Sequence, residues 1–183
     1  MATRFRQGAG RLSLDFVRTF RFRGTDHPVE ELPDLAAVAA WIDQCVPHAE
    51  GPAGATGAAE ARAAREAIHE LIIAAWRGDA ISAAARDLVN GAAARPVPVP
   101  RMDADGVRWH AGDLVSAALA LLARDALELV ASPHLARLRE CAGTGCSALF
   151  LDLSRPGTRR WCSMDQCGNR AKKETLRRRD GRP

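Results

Sequence analysis

The 183-residue sequence predicts a mainly α-helical body with one small β-hairpin, ending in a compact ββα module built around cysteines. Apolar residues recur at helical spacing over residues 34–46, 58–77, 79–94 and 113–131. The run Pro96 to Pro100, followed by Asp105-Gly106 and Val107 to Ala111, marks an edge hairpin instead. Four of the five cysteines fall within residues 141–167. With 47% hydrophobic and 26% charged residues, the chain has room to bury a core. The expected division is a helical domain over 1–138 and a four-cysteine module over 139–183.

Taken in order, Arg11 to Phe20 (RLSLDFVRTF) alternates like a strand at Leu12, Leu14 and Phe16, and is expected to start extended and continue as helix. Asp34 is placed to cap a helix reaching Val46. His48 to Gly57 reads as a flexible loop. It lacks the Gly-Lys-Ser/Thr of a phosphate cradle. Ala58 to Arg77 forms a long helix with Ile68, Leu71, Ile72 and Trp76 inward, ended by Gly78. Asp79 to Ala94 forms another. After the hairpin, Asp113 to Ala131 carries a broad apolar face of Leu114, Val115, Ala118, Leu121, Leu122 and Leu129. Ser132-Pro133 then restarts a short helix, HLARLRE, that runs into the first cysteine.

Charge is distributed unevenly. Residues 1–23 and 141–183 are net +5 and +6, whereas 24–140 are net −7. Basic ends on an acidic middle suggest a polyanionic partner. No apolar run approaches the ~20 residues of a membrane span, and the charged N-terminus does not resemble a signal peptide. A cytoplasmic location without membrane attachment is expected.

The spacing Cys141-x4-Cys146, fifteen residues, Cys162-x4-Cys167 suits a tetrahedral metal, because each pair closes a small loop and the spacer returns the chain. Disulfides compete for the same cysteines but are disfavoured in a reducing cytosol. One structural zinc ion held by Cys141, Cys146, Cys162 and Cys167 is the expected cofactor. Between the pairs, ALFLD (148–152) and RRWC (159–162) are expected to pair as strands across Pro156-Gly157. A helix then starts at the last ligand. The arrangement is treble-clef or zinc-ribbon-like, with Phe150 and Trp161 as a core too small to fold without metal. Cys45 reads as an ordinary buried thiol.

These residues carry a resemblance. Cys141 and Cys146, LFLDLSR, RRWCSMDQCGNRAKK and the trailing arginines are similar to the CGNR zinc fingers of bacteria. In that family the finger follows an ABATE domain bearing a motif like L-x-LDF-x-NT. Leu12, Leu14, Asp15, Phe16, Val17 and Thr19 match it, with Arg18 at the usual Asn. The resemblance spans essentially the whole chain. It implies a stress-related transcription regulator whose finger binds DNA and whose N-terminal domain senses a signal.

At 3.6 residues per turn, Cys167, Ala171, Glu174 and Arg178 share the metal-facing side of the last helix, while Arg170, Lys173 and Arg177 form a basic stripe. Lys172 and Arg179 lie on another flank. Both lysines of the chain are here. Lys172, Lys173, Arg177, Arg178 and Arg179 are candidate phosphate contacts. Asn169 and Arg170 suit base edges, or else hydrogen bonds that hold the finger together. A single finger supplies few contacts, so duplex DNA binding calls for a homodimer or help from the basic N-terminus.

Catalysis finds little support. Five histidines (His27, His48, His69, His110, His134) are scattered, and His69-Glu70 lacks the second histidine of a metalloprotease helix. Glu66 and Glu70 read as a solvated face, with Arg62–Glu66 as a helical ion pair. Four thiolates leave zinc no open position. The expectation is therefore a non-enzymatic, zinc-containing DNA-binding regulator. The competing reading is a zinc-stabilised protein- or RNA-interaction module without sequence-specific DNA binding. A small-molecule effector in a pocket lined by Phe16, Phe20, Trp41 or Trp76 is left open, since the same residues suit plain core.

Overall fold

The computed structural model describes residues 4–46, 49–52 and 54–179; of Arg179 only the backbone is described. His48, and the ends of the expected domains at 1–3 and 180–183, lie outside the described residues. Six helices and three small sheets make up the rest. No helix among the described residues is long and apolar enough to cross a membrane.

The chain enters helix at once. α1 (Leu12–Val17) buries Ser13, Leu14, Phe16 and Val17. The expected extended start is therefore wrong: Asp15 N donates to Arg11 O at 3.1 Å, closing a helical turn at the alternating segment. Two short strands, β1 (Phe20–Arg21) and β2 (Val29–Glu30), pair antiparallel behind it. α2 (Leu35–Cys45) is capped as expected, the Asp34 carboxylate accepting from Ala37 N at 2.8 Å. Phe16 and Trp41 pack ring to ring at 5.1 Å, both buried. Both belong to the core.

Part of the expected loop is a strand. β3 (Ala49–Glu50) lies parallel to β5 (Gly106–His110), which pairs antiparallel with β4 (Val99–Asp103). Asp113 explains how so short a strand is held. Its Oδ1 caps α5 (Leu114–Ala131) at Ser116 N, and its Oδ2 accepts from Thr56 Oγ1 at 2.9 Å and Ala55 N at 3.1 Å. In the hairpin register Pro100 faces Trp109 and Met102 faces Val107, giving one exposed apolar face.

α3 (Ala58–Arg77) has the expected bounds, with Gly78 at φ 79° ending it. α4 (Ala83–Ala93) begins later than expected, capped by Ser82, whose backbone N–H donates to Glu70 at 2.7 Å. Glu70 therefore joins two helices. Arg62 donates to the carbonyls of Leu32 and Pro33, leaving Glu66 to Arg23 and Arg65. The expected Arg62–Glu66 pair is replaced because a carbonyl pair within reach competes with the carboxylate. Helices α1, α3, α4 and α5 meet around Ile68, Ile72, Leu119, Leu122 and Leu129, all buried.

The short helix after Ser132 is a 3-10 turn over Pro133–Arg137 only. Leu138–Glu140 forms strand β6 instead, pairing antiparallel with β7 (Leu149–Leu151). ALFLD thus supplies a strand whose partner is the chain before Cys141. Residues 159–162 are not a strand, although Arg160 O accepts from Ala142 N at 2.8 Å. The chain then turns through Met164–Gly168 into α6 (Asn169–Arg179).

The finger has no separate core. Phe150, Leu138, Leu149 and Leu151 are buried in the same cluster as Leu14, Phe5 and Ala9, while Trp161 is half-buried beside it. Leu151 N donates to Ala9 O at 2.8 Å, stitching the strands to the N-terminal loop. A Cβ on Gly10 (φ 95°) would come within 3.0 Å of the Leu151 side chain, so glycine permits this approach.

Candidate metal centre and basic helix

Each cysteine is delivered by a hydrogen-bonded turn. Cys141 leaves β6 with its N–H donating to Ala148 O at 2.9 Å, and Cys146 N donates to Gly143 O at 2.9 Å, closing the loop between them. Gly143 has no room for a side chain: a Cβ would meet Cys167 Cβ at 3.1 Å and Cys167 Sγ at 3.2 Å. Cys162 arrives on the extended segment beside Ala142. Cys167 sits in a wide turn in which Gly168 N reaches back to Ser163 O at 3.0 Å. The Met164 side chain lies across Gly168.

The four Sγ atoms lie within 4.8 Å of one another, and all four residues are buried. The Cys146–Cys162, Cys162–Cys167 and Cys167–Cys146 separations are 3.7, 3.7 and 3.5 Å. A tetrahedron with Zn–S bonds of ~2.3 Å has edges of about 3.8 Å. The donor set and its spacing therefore fit one zinc ion. Gly143 N and Cys162 N point at Cys141 Sγ from 3.5 and 3.3 Å. Hydrogen bonds from Cys146, Cys162 and these backbone groups hold the Cys141 thiol far below its ordinary value. Its negative charge raises its neighbours: Cys162 is driven well up by its hydrogen bond with Cys141, and burial with Cys146 pushes Cys167 to about 11. Such crowded sulfurs share negative charge only around a cation, which is the chemistry a structural zinc supplies. Cys45 stands outside the cluster on α2, its thiol raised by burial.

Asn169, Arg170, Lys172, Lys173, Arg177 and Arg178 are all exposed on α6. Among the described residues none of them joins an ion pair or a side-chain hydrogen bond. Arg179 continues the helix, its side chain lying outside the described residues. Cys167, Ala171, Glu174 and Arg178 line a groove of about 590 Å³ against Ala142 to Thr144, together with Arg170, which was expected on the neighbouring basic stripe.

The N-terminal arginines are placed quite differently. Arg11 meets Asp125, Arg21 meets Glu31, and Arg23 meets Glu66. Arg18 is buried beside Asp15. Arg11, Arg21 and Arg23 of this basic segment are therefore engaged by carboxylates, whereas Arg4 and Arg6 form no ion pair among the described residues.

Several important residues escaped sequence reasoning. Asp15 accepts from Gly8 N and Ala9 N, fixing the loop that holds β7. Thr19 donates to Phe16 O at 2.7 Å and accepts from Arg65 at 3.2 Å. Asp152, 1% exposed, gathers Ser154 and Arg159 N. Arg159 in turn stacks on Phe150 and donates to the carbonyls of Trp161 and Cys162. The LDF-x-x-T spacing was the available signal for the first two; nothing local marks the others.

Comparison with known families agrees with this anatomy. Residues 10–133 match the ABATE family, described as "Putative stress-induced transcription regulator", and residues 137–180 match the CGNR zinc finger. No curated protein matches the sequence. With its LDF motif at the seam and four cysteines gathered before a CGNR helix, the chain belongs to the ABATE family and carries a CGNR zinc finger.

Proposed function

We propose that the chain is a cytoplasmic, DNA-binding transcription regulator without catalytic activity, in which residues 139–183 dock on duplex DNA and residues 1–138 sense a ligand or mediate assembly. One observation carries this reading: Arg170, Lys172, Lys173, Arg177 and Arg178 stand exposed, with no ion pair among the described residues, on a helix anchored by a four-thiolate centre. Unpaired cations at helical pitch follow a phosphate backbone and release its counterions. Lys172, Lys173, Arg177, Arg178 and Arg179 are assigned to phosphates. Asn169 and Arg170, at the start of the helix, are assigned to base edges or adjacent phosphates. Zinc held by Cys141, Cys146, Cys162 and Cys167 fixes the helix, and a closed four-thiolate shell leaves it no position for substrate.

A single α6 makes few contacts, which favours a homodimer. The hairpin face of Pro100, Met102, Val107 and Trp109 is the surface assigned to a second copy, being exposed and apolar.

The test is binding of zinc-loaded protein to duplex DNA across a salt series. The expected log–log slope is about −0.9 per phosphate contacted. Combined reversal of charge at Lys173 and Arg177 should abolish binding while one zinc per chain is retained. Unchanged DNA binding by that variant overturns the docking assignment. Absence of DNA binding at low salt by the wild type, with any dimer present, leaves the finger a protein- or RNA-interaction module.

A further inference from the structure

At the seam between body and finger lies a pocket of about 370 Å³, its open mouth included. Arg6, Arg18, Arg21 and Arg23 line it from the body beside Phe20 and His69, and the chain from the zinc ligand Cys146 to Leu149 closes it from the finger; no carboxylate is among its lining residues. Arg18 is the central feature. It is only 5% exposed, yet its Nε and Nη2 have no hydrogen-bond partner. Its Nη1 alone is used, donating to Gln7 O at 3.3 Å and lying 3.4 Å from Asp15 Oδ1. Nε of Arg21 is likewise buried without a partner.

Buried donors without acceptors are costly, and in native proteins they mark a ligand, an ion or water. Water would satisfy the N–H groups, and Asp15 offsets part of the Arg18 charge, but neither answers the remaining positive charge of the lining. Arg21 gives Nη1 to Glu31 and Arg23 gives Nη1 and Nη2 to Glu66, while Arg6 has no ion pair among the described residues. Burial, and then the like charge of Arg21, lowers the Arg6 pKa, as expected where positive charge is in excess. Ser147 holds a left-handed φ of 47° at the rim, an uncommon conformation for a residue other than glycine.

We propose that this pocket binds a small oxyanion, inorganic phosphate or the phosphate group of a compact phosphomonoester, with Arg18 and Arg21 donating to its oxygens. Guanidinium forks match such oxygens in both charge and spacing. The bound anion bridges α1 and the residue after Cys146, so its occupancy ties the body to the finger. This gives the sensing role proposed for the body a ligand class. The regulatory meaning rests on that role; the binding itself does not.

The test uses zinc-loaded full-length protein at constant ionic strength in chloride. Potassium phosphate, potassium sulfate and phenyl phosphate are each titrated by calorimetry and by thermal melting. Saturable one-to-one binding with a raised melting temperature is expected. Arg18→Asn and Arg21→Gln should each weaken it about tenfold, the effect of losing one charge-assisted hydrogen bond. Arg21 is only half-buried, so its variant keeps the test valid should Arg18→Asn misfold. Lys173→Glu on α6 should bind the anion as the wild type does, which separates this site from the DNA-docking assignment. Binding of phosphate and sulfate without phenyl phosphate identifies a free ion as ligand; binding of all three identifies a monoester as well. No saturable binding, or equal binding by the wild type and both pocket variants, overturns the proposal.

Discussion

Arg65 on α3 and Arg177 on α6 carry the same guanidinium in opposite surroundings. Arg65 is 2% exposed, with both oxygens of Glu30 at 2.6 Å, Glu66 at 2.8 Å and the Thr19 hydroxyl at 3.2 Å. These bonds, with Glu30 first, hold its proton more tightly than usual despite burial. Arg177 faces water with no ion pair among the described residues. An arginine whose donors are filled internally is part of the fold, whereas one left open is available to a partner. Net charge at the two ends of the sequence did not distinguish these situations. Arg11 and Arg23 are of the first kind, and Arg170, Lys172, Lys173, Arg177 and Arg178 are of the second.

The largest effect that tests this contrast is removal of the metal. Cys162→Ser, or chelation of the wild type, should melt α6 away from its anchor, since binding of structural zinc is worth about 10–16 kcal/mol in small fingers. The finger strands share a core with the body, so the loss should spread as a lowered melting temperature for the whole chain. Circular dichroism melts with and without chelator would show it. An unchanged body transition would mean that the seam couples the two parts weakly.

Arg65→Ala comes next. It leaves Glu30 and Glu66 facing a cavity, and breaking a buried pair costs about 3–5 kcal/mol. Both carboxylates retain contact with water, with side-chain exposures of 27% and 46%, so about 2–3 kcal/mol is expected from denaturant unfolding. DNA affinity should change little for protein that remains folded.

His69 supplies a pH version of the same contrast. Burial first, then the charge of Arg23, lowers its pKa from 6.5 to about 4; Arg65 and Arg77 act in the same direction and Glu66 opposes them. Between those two values the unfolded chain binds the extra proton. The stability contributed by neutral His69 is therefore full above about pH 6.5 and is lost as pH falls toward 4. About 2–3 kcal/mol is expected over that window. His69→Gln, unfolded with zinc in excess so that metal loss does not intrude, should show a shallower decline than the wild type.

The sequence disclosed elements stabilised by local rules. Asp34 was legible as a cap, Gly78 as a helix stop, and Asp105-Gly106 as a hairpin turn, because each acts within a few residues of itself. The cysteine spacing was legible for the same reason. β3 and β6 were not: two or three residues have no period of their own, and their pairing is set by Asp113 and by the chain beyond Cys146. The partners of Arg62 and Arg65 were also hidden, since helical spacing offers Glu66 to Arg62 but cannot show the Leu32 carbonyl or Glu30 approaching from elsewhere. Arg18 is the clearest case. The sequence showed it only as a departure from a motif, and the fold turns it into a buried charge with unused donors.

The smallest expected effect is the most discriminating. Lys173→Ala and Arg177→Ala remove exposed side chains that make no ion pair among the described residues, so each should alter stability by no more than about 0.5 kcal/mol. On DNA the same changes should lower affinity and reduce the salt slope by about one unit each. Unfolding and binding curves on the same variants would test both halves together. A loss of stability like that of Arg65→Ala would show that the α6 cations have internal partners after all. Unchanged stability with weakened binding is what cations left open by the fold should give.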